Sequence, residues 1–308
     1  MRLLITGDWH LRWKAPRWRR DDYFKAQQQK ILQIFDIVDE EKCSVILQPG
    51  DFFDSHDTPA FVIAKYIKWL KKWNSDGLIK LFAVRGQHDL RYHSKNTDNT
   101  PLAIMEAAGV LDILRDDEGH PLAHNIYLYG CHWNTEEIPT SLDDPADIKI
   151  LLMHKMVIKD KKLWPGQDGY LVANHFLKNH PFDLIVTGDN HKSFMVEKKG
   201  RYLVNCGSLM RSGIDQVDHQ PVVYVYDTDD KSLKSIPLNI KPVEEVFDID
   251  GVDKQIERDE KMDAFIDGMK LDTEDFGLDF LANLRGAMSD TKYVSAKKII
   301  DDFLEKMI

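Results

Sequence analysis

Aspartate and histidine stand two residues apart twice in this sequence, as Asp8 and His10 in GDWH and as Asp189 and His191 in TGDNHKS. In an extended segment, side chains at i and i+2 point the same way, so each pair could grip one cation. Asp51, in GDFFD, adds a carboxylate able to bridge two ions; Gln87, in GQHD, offers a neutral carbonyl oxygen, and His154 an imidazole. Oxygen and nitrogen donors without sulfur suit two divalent cations and disfavour an iron–sulfur cluster. Each Gly-Asp step alone is an ordinary turn former. Turn formation gives no reason for the histidines.

These positions share one context, since each follows a short run of β-branched and aliphatic residues. RLLIT leads into GDWH, SVILQP into GDFFD, KLFAVR into GQHD, KILLM into His154 and DLIVT into GDNH; NIYLYG, YLVN and VVYVY read as further strands. Segments 24–42 and 59–73 have helical spacing. Strands alternating with helices imply a layered α/β fold, in which ligands gather beyond the carboxyl ends of the strands.

A chain of 308 residues with 43% apolar composition can bury a large core. Cys43, Cys131 and Cys206 are widely spaced and form no C-x-x-C pattern, so they are expected to be reduced core residues. The N-terminal apolar run is too short for a signal peptide and no stretch approaches the ~20 apolar residues of a membrane span, so a cytoplasmic protein without a membrane partner is expected. The net charge of −10 resides mostly in the tail: residues 227–308 hold 21 acidic and 12 basic side chains, against 30 and 29 before them.

The order D-x-H, GD, G-x-H-D, a lone His and then G-x-x-H resembles the calcineurin-like metallophosphoesterase superfamily. GDFFD, TGDNHKS and NCGSLMR are most similar to the SbcD-type nuclease subunit of DNA repair, which works with an SMC-like ATPase. The resemblance covers roughly residues 1 to 240 and implies an α-β-β-α sandwich, with residues 241–308 a small, acidic, helical C-terminal region that leaves little room for a DNA-capping domain. It implies one metal on Asp8, His10 and His191, a second on Gln87, His154 and Asp189, and Asp51 bridging both. His88 resembles the family's phosphate-contacting proton donor, with Asp89 orienting its ring. The family usually carries Asn at Gln87 and His at Asp189. A carboxylate at Asp189 makes the site richer in hard oxygen, so Mn²⁺ is the expected cofactor, with Mg²⁺ the other suitable ion. Such a pair of ions would activate water and clamp phosphoryl oxygens for in-line displacement.

The loop after His10 interleaves Arg12, Lys14, Arg17, Arg19 and Arg20 with Trp13 and Trp18, which suits phosphates and stacked bases of single-stranded DNA. The expected activity is a DNA exonuclease with endonuclease action on single strands; 3′→5′ polarity is implied by the resemblance alone. A phosphatase or cyclic-nucleotide phosphodiesterase with the same centre is the alternative enzyme, and a non-catalytic scaffold the alternative from another class. Apolar stripes at Leu278, Leu281, Leu284 and Met288, and at Ile300, Phe303, Leu304 and Met307, suit two helices that complete the core or dock on an SbcC-type ATPase arm. A homodimer is left open. His132, His175, His180 and His219 are read as structural or exposed.

Overall fold

The computed structural model describes residues 1–94, 97–116, 119–138, 146–252, 254 and 261. The stripes at 278–288 and 294–308 lie outside the described residues. Met1–Phe247 forms one compact unit and Asp248–Ile308 a second.

In the first unit β1 (Arg2–Ile5), β2 (Val45–Gln48), β3 (Lys80–Ala83) and β4 (Asp112–Ile113) lie side by side and parallel. α1 (Tyr23–Glu40), α2 (Ala60–Trp73) and α3 (Pro101–Ala107) fall in the connections between them. Asp22 caps α1 by accepting the Lys25 N–H, and Thr100 caps α3 by accepting that of Ala103. The chain then builds a second sheet from β5 (Gly119–Ala123), β6 (Ile126–Cys131) and β7 (Ile148–Met153). A two-strand pair, β8 (Val157–Ile158) with β9 (Leu171–Val172), and α4 (Ala173–Asn179) precede its remaining strands. These are β10 (Leu184–Thr187), β11 (Phe194–Lys198) and β12 (Arg201–Asn205). Finally β13 (Val222–Asp227) and β14 (Ser232–Pro237) return to the first sheet, β13 pairing antiparallel with β1, and α5 (Val243–Val246) follows.

Three apolar clusters reveal the layers. Alternation along each strand sends neighbouring side chains to opposite faces. Thus Leu4 and Ile46 join Ile31, Ile34, Val62 and Tyr66 of the helices on the outer face of the first sheet. Leu3, Ile5 and Leu47 meet Ile150, Leu152, Val186 and Val204 of the second sheet. Leu151, Ile185 and Leu203 point outward against Phe176 and Leu177 of α4. Helix, sheet, sheet and helix layers stack in that order, the sandwich expected from the sequence. Sites of weaker periodicity were missed there: β5 carries Gly and Pro, and α3 and α4 are only seven residues each. All three cysteines are buried and free. No described helix is long and apolar enough to cross a membrane.

Candidate metal centre

All seven proposed ligands lie just beyond the carboxyl ends of parallel strands: Asp8 and His10 after β1, Asp51 after β2, Gln87 after β3, His154 after β7, Asp189 and His191 after β10. The two sheets therefore contribute opposite walls of one site. The i, i+2 pairs are not extended, contrary to the simple alternation argument. His10, Asp51 and Asp189 have φ of 43°, 49° and 73°, left-handed conformations that cost a non-glycine residue roughly 1–2 kcal/mol. That turn lets Trp9 and His10 both donate N–H to the Asp51 carbonyl at 3.1 and 2.9 Å, locking the first two loops together. The glycines before Gln87 and Asp189 are required by crowding. A Cβ on Gly86 would stand 2.0 Å from Asp51 Oδ1, and one on Gly188 2.5 Å from Asp8 Oδ1.

Asp8, His10 and His191 can each aim a donor atom within 4.8 Å of the others, and His10, Asp51 and His88 form a second such group. His10 Nε2 is 3.1 Å from His191 Nε2 and 3.6 Å from Asp51 Oδ2. On the other side His154 Nε2 lies 3.5 Å from Asp51 Oδ2 and 2.8 Å from Gln87 Oε1, while Gln87 Nε2 donates to Asp189 Oδ1 at 2.9 Å. Gln87, one methylene longer than asparagine, thus still reaches the centre. Asp189 also ties the sheets together, its N–H donating to Asp8 Oδ2 at 2.9 Å. The structure brings the seven candidate ligands to one centre around Asp51, where His88 joins His10 and Asp51 in the second group while His154, Gln87 and Asp189 meet one another through hydrogen bonds.

Charge is concentrated here among largely buried side chains. Burial pushes the Asp8 carboxyl well above its ordinary range, and the charges of Asp51 and Asp189 add to that. Burial also pushes Asp51 up, but His154, His10 and His88 outweigh it and hold its carboxyl well below the usual range. Burial lowers His10 to about 3 and lowers His191 as well. Burial opposes charge on His154 too, yet Asp51, Asp8 and Asp189 raise it to about 10. Three buried polar atoms, Asp8 Oδ1, Asp51 Oδ2 and His10 Nδ1, have no hydrogen-bond partner among the described residues. Orphaned polar atoms of this kind cost about 1–3 kcal/mol each unless satisfied. Together with the hard oxygen and imidazole set, they fit divalent cations.

The chain belongs to the calcineurin-like phosphoesterase family. Residues 1–193 match the family described as Calcineurin-like phosphoesterase, a span that contains all seven candidate ligands and ends two residues after His191. Solved structures that resemble this phosphoesterase share little sequence. A proposed 5′-nucleotidase from Staphylococcus aureus, solved with α-ketoglutarate, is 14% identical over 79% of this chain and 54% of its own, with TM-score 0.46. A hypothetical protein from Pyrococcus horikoshii OT3 is 12% identical over 84% of this chain and 93% of its own, with TM-score 0.41. The phosphoesterase thus spans about half the length of the Staphylococcus protein. No curated protein matches it.

Around the centre, four expectations change. Asp89 does not orient His88. It is buried, accepting the N–H groups of Gly86, Phe53 and Phe52 at 3.0, 3.1 and 3.3 Å, and so clamps the Asp51 loop to the Gln87 loop. The His88 ring is held instead by the Asp54 carbonyl, 2.9 Å from Nδ1, while the His88 backbone N–H donates to Asp51 Oδ1 at 3.0 Å. Its Nε2 remains 4.0 Å from Asp51 Oδ2 on the exposed rim. Arg19 is not a surface cation; it is 9% exposed, forks onto Asp21 and stacks over Tyr23 and Phe247. Arg20 donates to the Glu244 carbonyl and Arg12 pairs with Asp54 at 3.0 Å. Among the expected DNA contacts, Lys14 lies over the Trp13 ring and Arg17 over that of half-buried Trp18.

Of two further residues near the ligands, one carried no sequence signal. Gln216 places Nε2 3.2 Å from His191 Nδ1, fixing a ring that faces His10 with its other nitrogen. Asp54, the last residue of GDFFD, was visible but had no evident task. His132 and His219 are structural as expected: His132 packs on Arg85, and His219 Nε2 donates to the Ser208 carbonyl at 2.7 Å.

Proposed function

We propose that this phosphoesterase is a dinuclear-metal phosphodiesterase that cleaves DNA. Asp8, His10 and His191 would hold one ion and Gln87, His154 and Asp189 the other, with Asp51 between them; three carboxylates favour Mn²⁺ over Zn²⁺. The ions would supply an activated water and charge neutralisation at the phosphoryl oxygens. His88, exposed beside Asp51, would donate a proton to the departing oxygen. The Asp54 carbonyl binds its Nδ1 and keeps Nε2 toward the site.

The observation that carries the nucleic-acid reading is the aromatic and cationic rim that continues from His10. Trp13 and Phe61 are 45% and 56% exposed with ring centroids 6.0 Å apart, and Lys14 lies 5.2 Å from the Trp13 centroid. Exposed rings beside cations suit stacked bases and their phosphates. A second reading, a nucleotide phosphomonoesterase, is favoured by the burial of Arg19 against Asp21 and the pairing of Arg12 with Asp54, which leave a shorter basic surface than a long strand would use. As a partner we propose an SMC-like ATPase of the SbcC type, consistent with the motif resemblance.

Metal-loaded protein should be offered end-labelled single-stranded oligonucleotide, a nucleoside 5′-monophosphate and a small chromogenic diester. Cleavage of the oligonucleotide that stops with chelator and returns with Mn²⁺ is the expected result. Dephosphorylation of the monophosphate with the oligonucleotide intact would establish the second reading instead.

A further inference from the structure

Away from the centre, three cations are buried around one cavity. Arg19, Lys30 and Arg211 are 9%, 8% and 5% exposed, and all three line a cavity of about 470 Å³ against α1. Buried cations ordinarily carry a carboxylate partner, because an unneutralised charge out of water is costly. Only Arg19 has one, Asp21, through two contacts of 2.8 Å. Lys30 Nζ donates to the Asn239 carbonyl, and Arg211 donates to the carbonyls of Val217 and Lys241. Carbonyls satisfy the donors but leave the charges in place. Among the described residues, no ion pair involves Lys30 or Arg211, although Asp36 lines the same cavity. Burial, with Arg211 and Arg19 adding to it, lowers Lys30 to about 8. Gln29, Gln33 and Lys241 add polar groups, and Met210 and Ile240 supply apolar wall.

We infer that this cavity is a second anion site, built for a phosphate group borne free or on a nucleotide. The lining holds four cations, Arg19, Lys30, Arg211 and Lys241, against two carboxylates, Asp21 and Asp36, and a surplus of two calls for a dianion; a phosphate monoester carries close to two charges near neutral pH. A monocarboxylate would leave half of that surplus unmet. The site is separate from the metal centre: none of its lining residues is a candidate ligand, and Gln27, one turn earlier on α1, already donates to the His10 carbonyl at 2.8 Å. It is nevertheless connected to it. Ser212, beside Arg211, donates its N–H to Gln216 Oε1 at 2.6 Å, and Gln216 contacts His191. The occupant therefore sits where an effector would act, away from the reacting ester.

The test uses full-length protein without added metal, so that phosphate has no ions to bind, titrated calorimetrically with inorganic phosphate and with AMP. Gln33→Glu is the decisive variant. It keeps the side-chain oxygen that accepts the Asn239 N–H at 3.0 Å while placing a carboxylate in the cavity. Wild type should bind one or both anions, and Gln33→Glu should bind about tenfold or more weakly, with an undiminished melting temperature. Tighter AMP than phosphate identifies a nucleotide; equal affinity identifies the phosphate group alone. Gln29→Glu, on the exposed part of the lining, gives the same reading should Gln33→Glu lose structure. Absence of binding by wild type, or equal binding by wild type and a folded variant, overturns the assignment.

Discussion

His154 Nδ1 stands 2.7 Å from the carbonyl oxygen of Pro49, in the loop that carries Asp51. A carbonyl can only accept, so Nδ1 keeps its hydrogen and Nε2 is the atom turned toward Asp51 and Gln87. Without cations that nitrogen also holds a proton, since Asp51, Asp8 and Asp189 outweigh burial and raise His154 to about 10. Metal binding must displace it. Titration of the chelator-treated protein with Mn²⁺ at pH 8, in buffers of differing ionisation enthalpy, should show proton release, and His154→Asn should reduce it. Equal enthalpies in all buffers would contradict the assignment.

The same shift sets a stability window. The folded value lies above the unfolded one of ~6.5, so the contribution is complete below about 6.5 and is lost as pH rises toward 10. The melting temperature of metal-free protein should therefore fall between pH 7 and 10. Metal-loaded protein should show a smaller fall, because cations take over the proton's role.

Asp51 and His88 should separate cleanly on substitution. Asp51→Ala removes the carboxylate that faces His10, His154 and the His88 N–H, and should lower metal content from about two ions per chain to below one. His88→Ala should keep both ions and lose turnover by about 10² to 10⁴. Elemental analysis beside a rate assay checks both; metal lost from His88→Ala would make it a ligand.

Asp89→Asn probes the clamp. One amide oxygen cannot satisfy three N–H groups, so the variant should lose about 1–3 kcal/mol of stability in denaturant unfolding. The pH dependence of turnover should keep its shape. A displaced profile would return Asp89 to the proton-transfer chemistry.

Lys14→Ala with Arg17→Ala should weaken single-stranded DNA binding and lower its salt slope by about 1 to 2 while sparing a small diester. Arg19→Ala should act differently, lowering the melting temperature, because it removes the partner of half-buried Asp21. If Arg19→Ala changes only DNA affinity, the buried pairing is misassigned.

The fold and the gathering of the candidate ligands were legible because both rest on local pattern: apolar alternation sets each strand, and the Gly-Asp or His turn comes next in the chain. What lay hidden was long-range. Nothing near Arg19 announces that Phe247 will cover it, and Gln216 meets His191 only through the return from β12 toward β13. Asp89 is adjacent to His88 in sequence, which suggested a partnership. The left-handed turn at Asp51 instead presents Phe52 and Phe53 N–H groups to its carboxylate.

Four candidate ligands hang from one sheet and three from the other, and the layer between those sheets is largely aliphatic and aromatic, crossed by a weak contact from Cys206 Sγ to the Ile5 carbonyl at 3.4 Å. The spacing of donor atoms across the centre is therefore a gauge of how the sheets are seated. Leu47 and Leu152 lie in that middle layer, below the loops that carry Asp51 and His154. A cavity made there by Leu152→Ala, costing about 2–5 kcal/mol, should register at the centre as weakened metal affinity, although no ligand has changed. Outer-layer Leu177→Ala, of similar cost, should leave affinity intact. In this protein the accuracy of a polar site is stored in an apolar seam.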